Sequence, residues 1–164
     1  MTRYYTPNEL AEIEKFINRA RKEDEPFVVK VFEWIGWKAK QGTTYEDWLH
    51  IDIHTYRNGK YVKVDVKRNS KSYKFGKNFI FTIRNGKFKE FPFEHGAEFA
   101  FIDENTNTIL LVDQKLFEHK FGNRTRHTNT TKLSQYIIVP KNELRNICHT
   151  EIKNIPREFL NILK

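Results

Sequence analysis

Asp52, Asp65 and Lys67 are the residues whose types and spacing could do chemistry. They sit in two alternating runs, Trp48 to Arg57 and Lys60 to Arg68, separated by Asn58-Gly59. Asn-Gly best supplies the positive φ angles of a tight two-residue hairpin turn. A turn there sets Asp52 opposite Asp65 and His50 opposite Lys67. Leu49, Ile51, Ile53, Val62, Val64 and Val66 then fall on the other face, because strand side chains alternate. Two carboxylates directly opposed cost a hairpin a few tenths to about 1 kcal/mol. The pair therefore calls for a cation: a divalent metal, or Lys63 or Lys67. The plainer reading is a solvated outer face. Trp48, His50 and His54 set this face apart from an ordinary Lys/Glu/Thr strand.

The elements around the hairpin follow from capping and periodicity. Thr6-Pro7-Asn8-Glu9 is a capping box with proline at the first helical position. Leu10, Ile13, Phe16, Ile17 and Ala20 continue it at helical spacing, so a helix over about 7–22 is expected. Glu23-Asp24-Glu25-Pro26 is expected to end that helix and start a second, closed by Gly36. Val28, Val29, Phe32 and Ile35 share one face of the second helix. Glu25 projects from the middle of that apolar face, which is costly unless something pairs with it; Glu33 lies off the stripe. Trp37–Lys40 is a short strand and Gln41–Thr44 a turn.

Taken together, these places resemble the PD-(D/E)XK nuclease superfamily, nearest to its archaeal Holliday-junction resolvase branch. The residues carrying the resemblance are Glu25 opening a helix, Gly36-Trp37 ending it, and Asp52, Asp65 and Lys67 as Asp-x12-Asp-x-Lys. The chain departs from the usual pattern in its extra N-terminal helix, in Ile51 where proline often precedes the aspartate, and in aspartate at 65. The resemblance implies an α/β fold in which a mixed central sheet is flanked by helices, a restriction-endonuclease-like core within one domain over 1–164. It also implies a catalytic set of Asp52, Asp65, Lys67 and Glu25. Asp52, Asp65, the carbonyl of Val66 and Glu25 would hold Mg²⁺ or Mn²⁺. DNA would be hydrolysed to 5′-phosphate and 3′-hydroxyl ends. The acidic-x-Lys triplet alone means little, since it recurs at Asp113-Gln-Lys115, Glu118-His-Lys120 and Glu151-Ile-Lys153. Phe101 to Lys115 is a second hairpin, but its apolar second strand marks a sheet centre buried on both faces, so it is assigned to the scaffold.

The charge points to the partner. The chain of 164 residues carries a net charge of +8, which favours a polyanion. Residues 57–89 are strongly basic, with Asp65 the one acid among them. Lys63, Arg68, Lys71, Lys74 and Lys77 are candidate phosphate contacts. Phe79-Ile80-Phe81-Thr82-Ile83 is an ordinary strand with core aromatics. Residues 118–132 form a polar, basic stretch expected to be either a DNA-contacting flap through Arg124, Arg126 and Lys132 or plain disorder. Tyr136–Val139 is a last strand, followed by helices at about 141–148 and 156–163. One cysteine, Cys148, excludes an internal disulfide. No apolar run reaches the ~20 residues of a membrane span, and a cytoplasmic protein is expected.

Two further function classes remain open at this point: a non-catalytic DNA-binding module on the same fold, and a transition-metal centre built on His50-x-Asp52-x-His54. Branched and duplex DNA, RNA and a homodimer are not distinguished by the residues.

Overall fold

The computed structural model describes residues 6–8, 11, 15, 18–48, 51–69, 76–84, 96–128 and 134–163. Helix α1 (Glu25–Trp34) does not start afresh at Pro26. Ala20–Asp24 is a π-turn in which the Glu25 N–H donates to the Ala20 carbonyl, and Arg19, Asp24 and Glu25 all keep right-handed helical backbone. Proline lacks an N–H and its ring collides with the carbonyl four residues back. A wider π-turn just ahead of it relieves both problems without ending the helix. Gly36, at φ 94°, does stop it, and the Trp37 N–H closes the end on the Phe32 carbonyl at 2.9 Å.

The protein is α/β, with a mixed six-stranded central sheet flanked by helices, in the order β1-β2-β3-β5-β6-β9. These strands are β1 (Lys38–Gln41), β2 (Ile53–Arg57), β3 (Lys60–Arg68), β5 (Glu98–Asp103), β6 (Thr108–Asp113) and β9 (Thr150–Ile152). Only β3 and β5 pair in parallel; the other neighbours are antiparallel. A smaller sheet, β4-β8-β7, is built from β4 (Asn78–Arg84), β7 (His127–Thr128) and β8 (Ser134–Pro140). β8 is not the last strand, because β9 follows it and pairs with β6.

Each face of the central sheet has its own core. On one face Ile53, Val62, Val64, Ala100, Ile102, Ile109 and Leu111 pack under Phe27, Val28, Val31 and Phe32 of α1, with the 3-10 helix Arg157–Ile162 alongside. On the other, Phe99, Phe101, Leu110 and Val112 meet Phe79, Phe81, Ile137 and Val139 of the smaller sheet. That second core also takes Phe117 and Phe121 of α3 (Gln114–Phe121) and Leu144 of α4 (Lys141–Ile147). Strands buried on both sides lose the polar alternation, which explains the unbroken apolar run of β6.

Helix α3 takes up the first residues of the expected 118–132 flap. Asp113 caps it by accepting from the Leu116 N–H at 3.0 Å, and Phe117 and Phe121, four residues apart, anchor one side. β7 then pairs with β8, and Lys132 lies outside the described residues. Among the described residues no helix is long and apolar enough to cross a membrane.

Asp103 closes the β5–β6 turn and is a scaffold residue, as its hairpin context predicts. It is 1% exposed and bonded by Lys141 Nζ at 2.9 Å, Arg145 Nη2 at 2.5 Å and Thr106 Oγ1 at 3.0 Å. Burial alone would raise its pKa, but the bonds from Lys141, Thr106 and Arg145 outweigh burial and hold it below its ordinary 3.8. A depressed folded-state pKa means stability that is whole above the unfolded value and drains away as the pH falls through the folded one. Asp103→Asn should therefore lower the urea midpoint at pH 7 and flatten its decline below about pH 4. Equal wild-type and variant slopes across that acid range would contradict this.

Candidate functional site

The hairpin forms in the expected register, from Ile53↔Val64 to Arg57↔Lys60. Asn58 (φ 52°) and Gly59 (φ 80°) supply the two positive φ angles. The hairpin's start differs. Thr43 and Glu46 make a reciprocal capping box, with Thr43 N–H on Glu46 Oε1 at 2.9 Å and Glu46 N–H on Thr43 Oγ1 at 3.1 Å. Helix α2 (Thr44–Trp48) follows, so Trp48 is helical and the first strand begins only at Ile53. His50 lies outside the described residues.

Asp52 consequently does not face Asp65 across the ladder. Its N–H donates to the Val64 carbonyl at 3.0 Å, although Val64 is already the partner of Ile53. Two residues against one is a β-bulge, which bends the strand and re-aims a side chain. The carboxylate swings to the edge of β3, where Asp52 Oδ2 accepts the Val66 N–H at 2.7 Å. Val66 is the middle residue of the Asp65-Val66-Lys67 triplet. The N–H and C=O of one strand residue point to the same edge, so the Val66 carbonyl shares the edge that Asp52 occupies.

Asp65 and Lys67 sit on the face opposite α1, beside Phe99 and Phe101. Asp65 is 3% exposed, and Lys67 Nζ lies 3.4 Å from its Oδ1. The same ammonium lies 5.2 Å from the Phe81 ring centroid, where the π face favours a cation. Removing either member of such a pair leaves a charge in an apolar wall, which costs about 3–5 kcal/mol.

Glu25 approaches from the helix-covered face. It is fully buried, accepting from Gln41 Nε2 at 3.1 Å and lying 3.5 Å from Arg21 Nη1. Arg21 Nη2 donates to the Gly42 carbonyl at 3.0 Å, and the Gly42 N–H donates to the Asp52 carbonyl at 2.7 Å. Glu25 is thus joined to Asp52 through Gln41, Arg21 and Gly42, a linkage that sequence spacing does not reveal. Among the described residues no group of three or more His, Cys, Asp and Glu side chains is arranged to hold a metal ion. Carboxylate and carbonyl oxygens are nonetheless the donor set that suits Mg²⁺ or Mn²⁺. Asp52 and Asp65 with the Val66 carbonyl fit that chemistry.

Both ring nitrogens of His54 have partners in the structure. Nε2 is paired with Glu46 Oε2 at 2.7 Å, and Nδ1 is bonded to the Tyr61 hydroxyl. The bond from the Thr43 N–H is the largest influence holding the Glu46 pKa down, with the Thr43 hydroxyl and His54 adding to it.

The expected phosphate contacts divide. Lys63 stands on the open face of β3 and is half-buried, while Lys77 and Arg126 are exposed. Lys71 and Lys74 lie outside the described residues. Arg124 is paired with Glu143 at 2.7 Å. Arg68 is a correction: its side chain is 2% exposed, held by Asp24 at 2.6 Å and Glu104 at 2.9 Å. It ties β3 to the π-turn and the β5–β6 turn and is not a phosphate contact. Burial pushes the Asp24 carboxyl up, and Arg68 and Arg19 offset only part of that.

Comparison of the chain with protein-family models, with curated proteins and with solved structures finds no match.

Two expectations follow. A Cβ on Gly42 would lie 2.4 Å from the Ile51 carbonyl oxygen. Gly42→Ala should therefore displace the Ile51–Asp52 backbone and cost about 1–3 kcal/mol in urea unfolding; an unchanged midpoint would show that the contact is not tight. Arg68→Ala should cost about 3–5 kcal/mol by stranding the buried Asp24 and the half-buried Glu104, whereas the exposed Lys77→Ala should stay within about 0.5 kcal/mol. Similar midpoints for these two variants would return Arg68 to the surface.

Proposed function

We propose that the chain is a metal-dependent DNA endonuclease with a restriction-endonuclease-like core. The observation that carries this reading is the 2.7 Å bond from the Val66 N–H to Asp52. It brings an acid from a separate segment to the middle of an Asp-x-Lys triplet, as the Asp-x12-Asp-x-Lys spacing expects of this nuclease class.

Asp52, through the oxygen not aimed at Val66, would share a Mg²⁺ or Mn²⁺ ion with Asp65 and the Val66 carbonyl. Such an ion lowers the pKa of a bound water and offsets charge on the phosphate. Lys67 would orient the attacking water and stabilise the charge that develops as phosphorus gains its fifth oxygen. The bond to the 3′-oxygen would then break, and the proton given up by the attacking water would reach that oxygen through solvent, leaving 5′-phosphate and 3′-hydroxyl ends. Glu25 is a positioning residue: through Gln41, Arg21 and Gly42 it fixes the segment that presents Asp52.

The near-complete burial of Asp65 favours one rival, a DNA-binding module with no catalysis. The two are separated by incubating linear, branched, single-stranded and supercoiled DNA with Mg²⁺ or Mn²⁺. Cleavage is expected, and Asp65→Asn/Lys67→Gln, a neutral pair of similar shape, should lose at least about a hundredfold in rate while keeping its urea midpoint. Salt-sensitive binding that ignores divalent ions, with every substrate left intact, would establish the rival. Undiminished cleavage by the neutral pair would move the site elsewhere.

A further inference from the structure

One face of the hairpin carries groups that hydrolysis does not use. The register sets Lys38, Tyr56 and Tyr61 in one row across β1, β2 and β3, and Lys40, His54 and Lys63 in the next. Asp65 and Lys67 continue along β3 on the same side, since alternate residues share a face. The apolar core under α1 lies on the other side of these strands, and the smaller sheet covers β5 and β6.

Tyr56 is 50% exposed and Tyr61 40% exposed. Their ring centroids are 5.3 Å apart, and the His54 ring stacks on Tyr61 at 5.7 Å. Glu46 and the Tyr61 hydroxyl hold the imidazole between them, so the rings are oriented before any ligand arrives. Lys38 and Lys40 are exposed beside them. A cross-strand tyrosine pair can stabilise a hairpin without further purpose. That role explains neither the lysines in both rows nor the fixing of a third ring. Aromatic faces bordered by cations are what unpaired bases and their phosphates require. A duplex keeps its bases stacked on one another and offers them no such contact.

We infer that this face is a stacking platform for an unpaired DNA strand. Tyr56 and Tyr61 take bases, and Lys38, Lys40 and Lys63 follow the phosphates. Asp65 lies four residues beyond Tyr61, about 13 Å along β3, so a strand held on the rings runs toward the acids. The inference rests on the nuclease reading and narrows its substrate to DNA with a single-stranded segment.

The test is fluorescence anisotropy of labelled single-stranded and duplex oligonucleotides in EDTA, where metal-dependent cleavage is off. The wild type should bind the single strand more tightly. Tyr56→Leu/Tyr61→Leu, which keeps apolar cross-strand contact, should weaken single-strand binding about tenfold or more, and Tyr56→Phe/Tyr61→Phe should restore it. Lys38→Gln/Lys40→Gln should reduce the slope of log affinity against log salt by about 0.7 per lysine. Urea midpoints of the leucine and phenylalanine variants show whether the hairpin holds.

Equal affinity for duplex and single strand, or a leucine variant that binds as the wild type does, would overturn the platform. Tighter binding of the same sequence as RNA would overturn its assignment to DNA. The two readings fail separately. Cleavage by a chain whose leucine variant binds normally removes the platform alone. Ring-dependent single-strand binding with no cleavage under any divalent ion removes the nuclease alone.

Discussion

The geometry of the site depends on how the edge of β3 is satisfied. β3 runs for nine residues and β2 for five, so the last part of β3 extends past the ladder that β2 provides. A buried backbone N–H left unbonded costs about as much as a lost hydrogen bond. The bulge at Asp52 resolves this by replacing the missing strand carbonyl with a carboxylate. A charged acceptor is stronger than a neutral one, and here it brings the Asp52 carboxylate to the backbone of the residue that follows Asp65. The sheet gains an acceptor for its edge at Val66.

Buried charges tie down the segments on either side of this edge. The Gly42 segment is squeezed against Ile51 and Asp52 and tied to Glu25 and Arg21 on the helical side. Arg68 joins the π-turn, β3 and the β5–β6 turn through Asp24 and Glu104. On the opposite face, Lys67 is pressed toward Phe81 and Phe99, so the ammonium beside Asp65 has little freedom. Among the described residues, β1, β2 and the start of β3 leave Tyr56 and Tyr61 exposed on one face, while β5 and β6, buried on both sides, supply the rigidity.

Much of this was legible in the sequence, and the reasons are local. Asn58-Gly59 fixed the hairpin register because few dipeptides tolerate two positive φ angles. The apolar run from Ile109 to Val112 revealed a strand covered on both faces. What was not legible came from competition between local signals. Pro26 signals a helix start in isolation, and only the observed π-turn lets one helix run through it. Thr43-x-x-Glu46 was a capping signal in plain view, but the alternation that begins at Trp48 pointed to a strand. Arg68 looked like one more surface cation in a basic stretch, because charge runs carry no information about which member turns inward. The alternation that placed His54 also placed Tyr56 and Tyr61, yet their exposure depends on where the second sheet ends, and periodicity does not report that.

The central claim is that Asp52 and Asp65 share one divalent ion at the Val66 edge. It is tested most directly by a crystal structure of the chain with Mn²⁺ and a cleavable oligonucleotide, using the anomalous signal of the metal. The account predicts a manganese peak touching carboxylate oxygens of both Asp52 and Asp65 and the Val66 carbonyl, with Lys67 facing the phosphate. A peak at another place, or none there at saturating Mn²⁺, would contradict it.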